Sequence, residues 1–383
     1  MLPSTLVCSR DDAHCNDPQT LATVCPHDGA PLLVRYAKVA LDRDTVARRP
    51  ATMWRYRELL PLADDEEPIT LGEGATPLLR AARLERDLAL DAPLYVKDES
   101  ANPTASFKAR GMSVAVTCAK RLGAQNLVAP SAGNAGAALA AYGARANMPV
   151  TVFLPLDTPA MIVEECRTYG AGVELVDGLI DEAGRRASEH ARATNAFNVA
   201  TLREPYRLEG KKTMGFELVE TLGAVPAAII YPTGGGTGLI GMWKAFDELQ
   251  AVGWIGVERP QMIVVQAAGC APLVRAFEAH ADHAQRWDDA RTAAWGLRVP
   301  ASLGDRLVLR VMHESLGTAL AVDEAAMRDG MLSLRTREGI DAGEEGGATL
   351  AGLRRLLDRG QRFSGPIVLF NTGSALTYGP RVA

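Results

Sequence analysis

The spacing of apolar residues changes character near residue 71. Beyond it, short apolar runs without polar alternation recur between Ala- and Leu-rich stretches at helical spacing. The runs predict strands at 127–129, 150–154, 173–176, 227–231, 262–266 and 367–370, and the intervening stretches predict helices such as 135–147, 181–194 and 239–252. Strands rich in Val and Ile on both faces belong in a parallel sheet covered by helices, so the chain reads as α/β. No fixed-period repeat is visible. Residues 61–70, PLADDEEPIT, place two prolines around four acids and read as a linker.

Composition narrows the class. The chain has 383 residues, 47% hydrophobic and 23% charged, enough for a large core and, at roughly 150 residues per domain, about two or three domains. A net charge of −5 without a basic run argues against a nucleic-acid partner. No apolar run approaches the roughly 18 residues of a membrane helix, and MLPSTLVCSRDDAHC lacks the charged leader and apolar stretch of a secretory signal. The expected compartment is the cytoplasm. Of 41 basic residues only seven are lysines, which makes each lysine worth asking about.

Three predicted strands end in small, polar loops: PSAGNAG (130–136), PTGGGTG (232–238) and NTGS (371–374). Open parallel sheets bind ligands beyond such strand ends. In the second loop, glycines let the backbone approach an anion, and the following helix adds N–H groups and a favourable dipole. The loop lacks the Lys-Ser/Thr ending of a nucleoside-triphosphate loop. Gly236–Gly241 matches G-x-G-x-x-G, which leaves a dinucleotide-dependent oxidoreductase as a rival reading, although the next strand ends in Gln266 rather than an acid. A further loop, NPTASFKARG (102–111), delivers Lys108 at the start of a helix. A helix N-terminus and a nearby cation, with Arg110 the candidate, favour the free amine that carbonyl capture requires. An imine-forming lysine, a single-phosphate cradle and a polar strand end together fit pyridoxal 5′-phosphate.

The motifs LGEGATPL (71–78), KDESANPTASFKARG (97–111), SAGNAGAALAAY (131–142), EPYRLEGKKT (204–213), PTGGGTG (232–238) and FNTGSAL (370–376) occur in one order over about 300 residues. In these the chain resembles the threonine synthases, within the fold-type II pyridoxal-phosphate enzymes. The resemblance implies two open, twisted, parallel-sheet α/β domains with the cofactor in the cleft. It places a cap at 1–60, a large cofactor domain at 61–109 and 206–383, and a smaller mobile domain at 110–205. It implies Lys108 as the Schiff-base lysine, Asn134 against the ring hydroxyl, Gly234, Gly235, Gly236, Thr237 and Gly238 around the cofactor phosphate, and Thr372 at the pyridine nitrogen. For a phosphorylated substrate, O-phospho-L-homoserine, it implies Arg207 helped by Lys211, with Ser131 and Thr104 for the carboxylate; an ion pair of Arg207 with Glu204 or Glu209 is the competing use. A homodimer is implied as well. A serine/threonine dehydratase or a β-replacement synthase with the same cofactor is the nearest alternative. Ala105, Ala109, Ala132, Ala375 and Thr377 depart from the usual residues and put the substrate in doubt.

The first 36 residues hold three of the six cysteines, with His14 and His27. Cys8, His14 or Cys15, Cys25 and His27 could surround Zn²⁺, but CPHD lacks a second Cys and the pairs are irregular, so the expectation is a degenerate ribbon-like cap without a metal ligand. His280 and His283 read as a solvated helix, Cys118, Cys166 and Cys270 as packing residues, and Glu345 as a helix cap that could face the cleft.

Overall fold

The computed structural model describes residues 4–37 and 39–378. Three sheets organise it. The largest has six strands in the order Thr318–Val322, Gln261–Ala267, Ala228–Pro232, Ile367–Asn371, Leu94–Asp98 and Leu78–Arg80. The first five run parallel and the last antiparallel. A second sheet of four parallel strands follows the order Gly172–Val176, Val150–Pro155, Leu127–Pro130 and Phe197–Asn198. A small antiparallel sheet near the N-terminus orders Cys15–Asn16, Thr5–Cys8 and Leu32–Arg35.

The central strands Ala228–Pro232 and Ile367–Asn371 are buried at every position, as their uninterrupted apolar runs require. Helices cover both faces of the large sheet, and their apolar residues form two separate clusters on its two sides. The smaller parallel sheet shares a cluster with the helix Lys108–Arg121 and with Leu6, Leu32 and Val34 of the N-terminal sheet. The N-terminal cap is therefore packed into the protein rather than appended to it.

All six predicted strands are present with ends within one residue. Leu94–Asp98 and Thr318–Val322 escaped the pattern, as did the short strands Leu78–Arg80 and Phe197–Asn198. The stretch expected as a linker is strapped to the helix Lys108–Arg121. Ile69 N–H donates to Thr117 Oγ1 at 2.9 Å, and Arg121 donates to the Pro61 carbonyl at 2.7 Å and pairs with Glu66 at 2.8 Å. His280 and His283 lie beyond the end of the helix Pro272–Glu278, exposed, not within a helix.

Candidate active site

The carboxyl ends of both parallel sheets open onto one cavity of about 1000 Å³. Its wall includes Lys108, Ser131, Asn134, the run Gly234–Gly238, Glu345 and Thr372. Residues separated by more than 260 positions thus meet because three strand ends, at 130, 232 and 371, share one rim.

The strand Ala228–Pro232 turns through Thr233–Gly236 into the helix Thr237–Ala251. The helix begins two residues earlier than the apolar pattern predicts, so Thr237 and Gly238 offer first-turn N–H groups that no helical carbonyl can accept. Gly236 adopts φ +81°, and a Cβ there would strike Val308; a Cβ at Gly234 would strike the Gly296 carbonyl. The turn is narrow by construction, and side chains are excluded from it. Gly241, the last glycine of the dinucleotide-like match, has another explanation. Its Cα lies against a neighbouring helix, where a Cβ would come within 3.0 Å of Lys212 N. Gln266 donates to the Thr233 carbonyl and accepts from Leu273 and Val274 N–H groups, so it braces the turn instead of facing a ribose.

Lys108 opens the helix Lys108–Arg121, its Nζ 4.5 Å from the centre of the Phe107 ring. Burial pulls its ammonium down to about 8, and the Arg207 charge adds to that, while Glu345 opposes it. The sequence suggested Arg110 as the neighbouring cation. That assignment is corrected: two positions along a helix face opposite ways, and Arg110 turns away to pair with Glu99 and Glu217 at 2.6 Å each.

Ser131 shapes the next loop. Its Oγ donates to the Gly133 carbonyl at 2.7 Å and accepts the Gly136 N–H at 2.9 Å. This arrangement starts the helix Asn134–Ala146 and brings Asn134 to the cavity with its buried Oδ1 unpartnered. Gly373 packs tightly beside it: a Cβ there would sit 3.0 Å from Asn134 Nδ2 and push that side chain. Thr372 lines the same wall, and its carbonyl accepts the Phe107 N–H at 3.0 Å, which ties the third strand end to the lysine loop.

Thr104, Arg207 and Lys211 are not among the residues lining the cavity. Thr104 sits at φ +55° and donates to the Pro103 carbonyl. Lys211 donates to Thr237 Oγ1 at 2.7 Å, one residue beyond the glycine turn. Arg207 is buried, donates once to the Val199 carbonyl at 2.7 Å, and leaves Nε and Nη2 without a partner. Neither competing ion pair forms. Glu204 accepts the backbone N–H groups of Tyr206 and Arg207, and Glu209 is taken by Lys212 and Lys244.

Residues 69–373 match the family described as pyridoxal-phosphate dependent enzyme. The threonine synthase of Methanosarcina acetivorans is 34% identical over 358 residues, covering 93% of this chain and 87% of that protein. The chain belongs to the pyridoxal-phosphate-dependent enzymes, in the threonine synthase family.

Two further relatives of the same name agree. That of Methanocaldococcus jannaschii is 35% identical, covering 84% of this chain and 80% of its own, and that of Mycobacterium leprae is 32% identical, covering 85% and 88%. The fold recurs in maize serine racemase, with TM-score 0.68 and 20% identity over 79% of this chain and 88% of that one. It recurs also in threonine deaminase isoform 2 of Solanum lycopersicum, with TM-score 0.64 and 20% identity over 78% and 83%.

The site fits the family's cofactor on its own chemistry. An amine held near neutrality, a buried amide oxygen without a partner, and a turn that admits no side chain suit an aldehyde, a ring hydroxyl and a phosphate. Sequence reasoning undervalued Glu345, which lines the cavity and accepts the Gly296 N–H at 2.8 Å, with burial raising its carboxyl. It missed Arg185, Arg192, Arg203 and Arg298, also on the wall. No spacing marks four arginines among 34.

Proposed function

We propose that this chain converts O-phospho-L-homoserine and water to L-threonine and phosphate. What carries the reading is that Lys108, the one lysine on the cavity wall among the described residues, faces the same space as the glycine turn, in a member of the threonine synthase family.

In this reading Lys108 holds the cofactor's carbonyl carbon, and Gly234, Gly235, Gly236, Thr237 and Gly238 hold its phosphate through backbone N–H groups. Asn134 meets the ring oxygen and Thr372 the ring nitrogen. Bound pyridoxal 5′-phosphate supplies an electron sink for negative charge developing on substrate carbons. Lys108 handles the protons. An amine that titrates near 8 is present in both forms close to neutrality, so it can take a proton from one substrate carbon and return it to another. Arg207 receives the substrate phosphate through its two free donors, with Lys211 beside it. Ser131 and Thr104 take the carboxylate. Thr104, Arg207 and Lys211 stand outside the cavity wall, and Arg207 and Lys211 are fixed on the helix Tyr206–Leu222, so the reading requires the residues between them and the cavity to yield when substrate binds.

Such closure is assigned to residues 110–205 moving against 61–109 and 206–383. Two ion pairs of 2.7 Å, Arg298 with Asp157 and Arg286 with Asp181, already join the two parts across that boundary and have to be kept or exchanged as they move. The same reading makes the enzyme a cytoplasmic homodimer. No helix among the described residues is long and apolar enough to cross a membrane.

The test follows both products at once. Protein given O-phosphohomoserine is expected to release phosphate and threonine in equal amounts, and Lys108→Ala to lose the cofactor's visible absorbance and at least about 10²–10⁴-fold of the rate. Phosphate without threonine, or turnover of serine or threonine to ammonia instead, would replace the reading with the dehydratase alternative.

A further inference from the structure

Far along the chain from these motifs, the N-terminal cap gathers chemistry that the reaction does not use. Cys8 ends the strand Thr5–Cys8, His14 precedes the strand Cys15–Asn16, and Cys25 opens the turn that leads to Leu32–Arg35. One ligand atom from each of the three lies within 4.8 Å of the others. Cys25 Sγ is 3.9 Å from His14 Nδ1, close to the about 3.5–3.8 Å that separates neighbouring ligands of a tetrahedral zinc ion. Both sulfurs are buried free thiols, so no disulfide accounts for their approach. Asp28, three residues after Cys25, brings its carboxylate within 3.5 Å of Cys8 Sγ.

The surroundings are those of a thiolate site. Arg10 N–H donates to Cys8 Sγ at 3.4 Å, and the N–H groups of His27 and Asp28 address Cys25 Sγ. Asp11 stands 3.6 Å from His14 Nε2, the nitrogen that a metal on Nδ1 would leave protonated, and His27 stacks on the His14 ring with centroids 4.1 Å apart. Two thiolates and a carboxylate around a dication leave one excess negative charge, and the Arg10 guanidinium lies 3.8 Å from Asp28 to offset it. Cys15 is exposed and points to the Asp12 carbonyl, outside the cluster.

We propose that Cys8, His14 and Cys25 bind one Zn²⁺ ion per chain, with the Asp28 carboxylate as the fourth donor. Sulfur and imidazole ligands select zinc over hard cations, and a closed four-donor set makes the site structural rather than catalytic. The irregular spacing that argued against a ribbon is resolved by the fold: His14 replaces a near neighbour of Cys8, and Asp28 stands where a second Cys after Cys25 would be expected.

The test uses the untagged full-length holoenzyme, reduced, equilibrated with Zn²⁺ and desalted before metal analysis. About one equivalent is expected in the unmodified protein and in Cys15→Ser, and less than about a fifth of that in Cys8→Ser/Cys25→Ser. Should the double variant fail to fold, Co²⁺ loading of the unmodified protein decides the matter. A thiolate-to-cobalt absorption band that Zn²⁺ bleaches supports the site. Less than about a fifth of an equivalent in the unmodified protein, full metal retention by a folded double variant, or cobalt bound without a thiolate band overturns it.

Discussion

Two groups of buried cations lie along the helices Lys108–Arg121 and Tyr206–Leu222, the first including Lys97 from the strand Leu94–Asp98, and are treated in opposite ways. In the first, Arg110 and Lys97 are saturated. Arg110 pairs with Glu99 and Glu217 and bonds Thr213 at 3.0 Å, and Lys97 pairs with Glu217 at 2.6 Å. Together they hold the Glu217 carboxyl down to about 2 despite its burial. In the second, Lys108, Arg207 and Lys211 crowd together without a carboxylate partner of their own, and each is pushed toward its neutral form. A cluster that serves stability ends with its charges matched, because an uncompensated buried charge is expensive. The second cluster keeps spare donors on Arg207, as the proposed role in holding a substrate anion requires.

The comparison is broken most severely at Glu217. Glu217→Gln leaves Arg110 and Lys97 with less counter-charge and is expected to lower unfolding stability by about 3–5 kcal/mol, read from urea or thermal denaturation. Arg207→Met, in the second group, should change stability little, since losing one hydrogen bond to the Val199 carbonyl is offset by removing a buried cation that has no carboxylate partner. Its cost should fall on KM for O-phosphohomoserine, raised roughly 10–100-fold, the worth of a charge-assisted contact of about 1.5–3 kcal/mol. A large loss of stability with unaltered KM would mean that Arg207 belongs to the first group after all.

The mildest effect is in pH dependence. Lys108 titrates at about 8 in the folded protein against about 10.5 in an ordinary lysine. Between those values the unfolded chain binds the extra proton, so the cofactor-free protein should gain stability as pH rises from about 8 to about 10.5. Lys108→Ala should reduce that rise, the remainder belonging to Lys211, whose ammonium is lowered by the same burial; an unchanged rise would mean that Lys108 does not contribute to it.

The sequence displays whatever is enforced locally. Val- and Ile-rich strands, a turn that admits only glycine, and a lysine placed by a proline-broken loop all leave a local imprint. Leu94–Asp98 left none, because Lys97 and Asp98 look wrong for a buried strand until Glu217, 120 positions away, neutralises the lysine. Ala105 reads as a simple departure from a usual glycine, yet it holds φ +50° next to Thr104 at φ +55°, a strain invisible in its spacing. Glu345 and the cap's sulfur cluster are half legible: the sequence offers Glu345 to the cleft and Cys8, His14 and Cys25 to a metal, but only tertiary approach brings the Asp28 carboxylate beside Cys8.

The helix Tyr206–Leu222 is covered from Tyr206 through Val219. It carries Arg207 and Lys211 toward one assembly and Thr213 and Glu217 into the other. Its amides should therefore be among the last to exchange with deuterated solvent. Any lineage altering which molecule is accepted at 207 and 211 has to do so on a rod that cannot bend, rotate or shorten without disturbing a scaffold one turn further on.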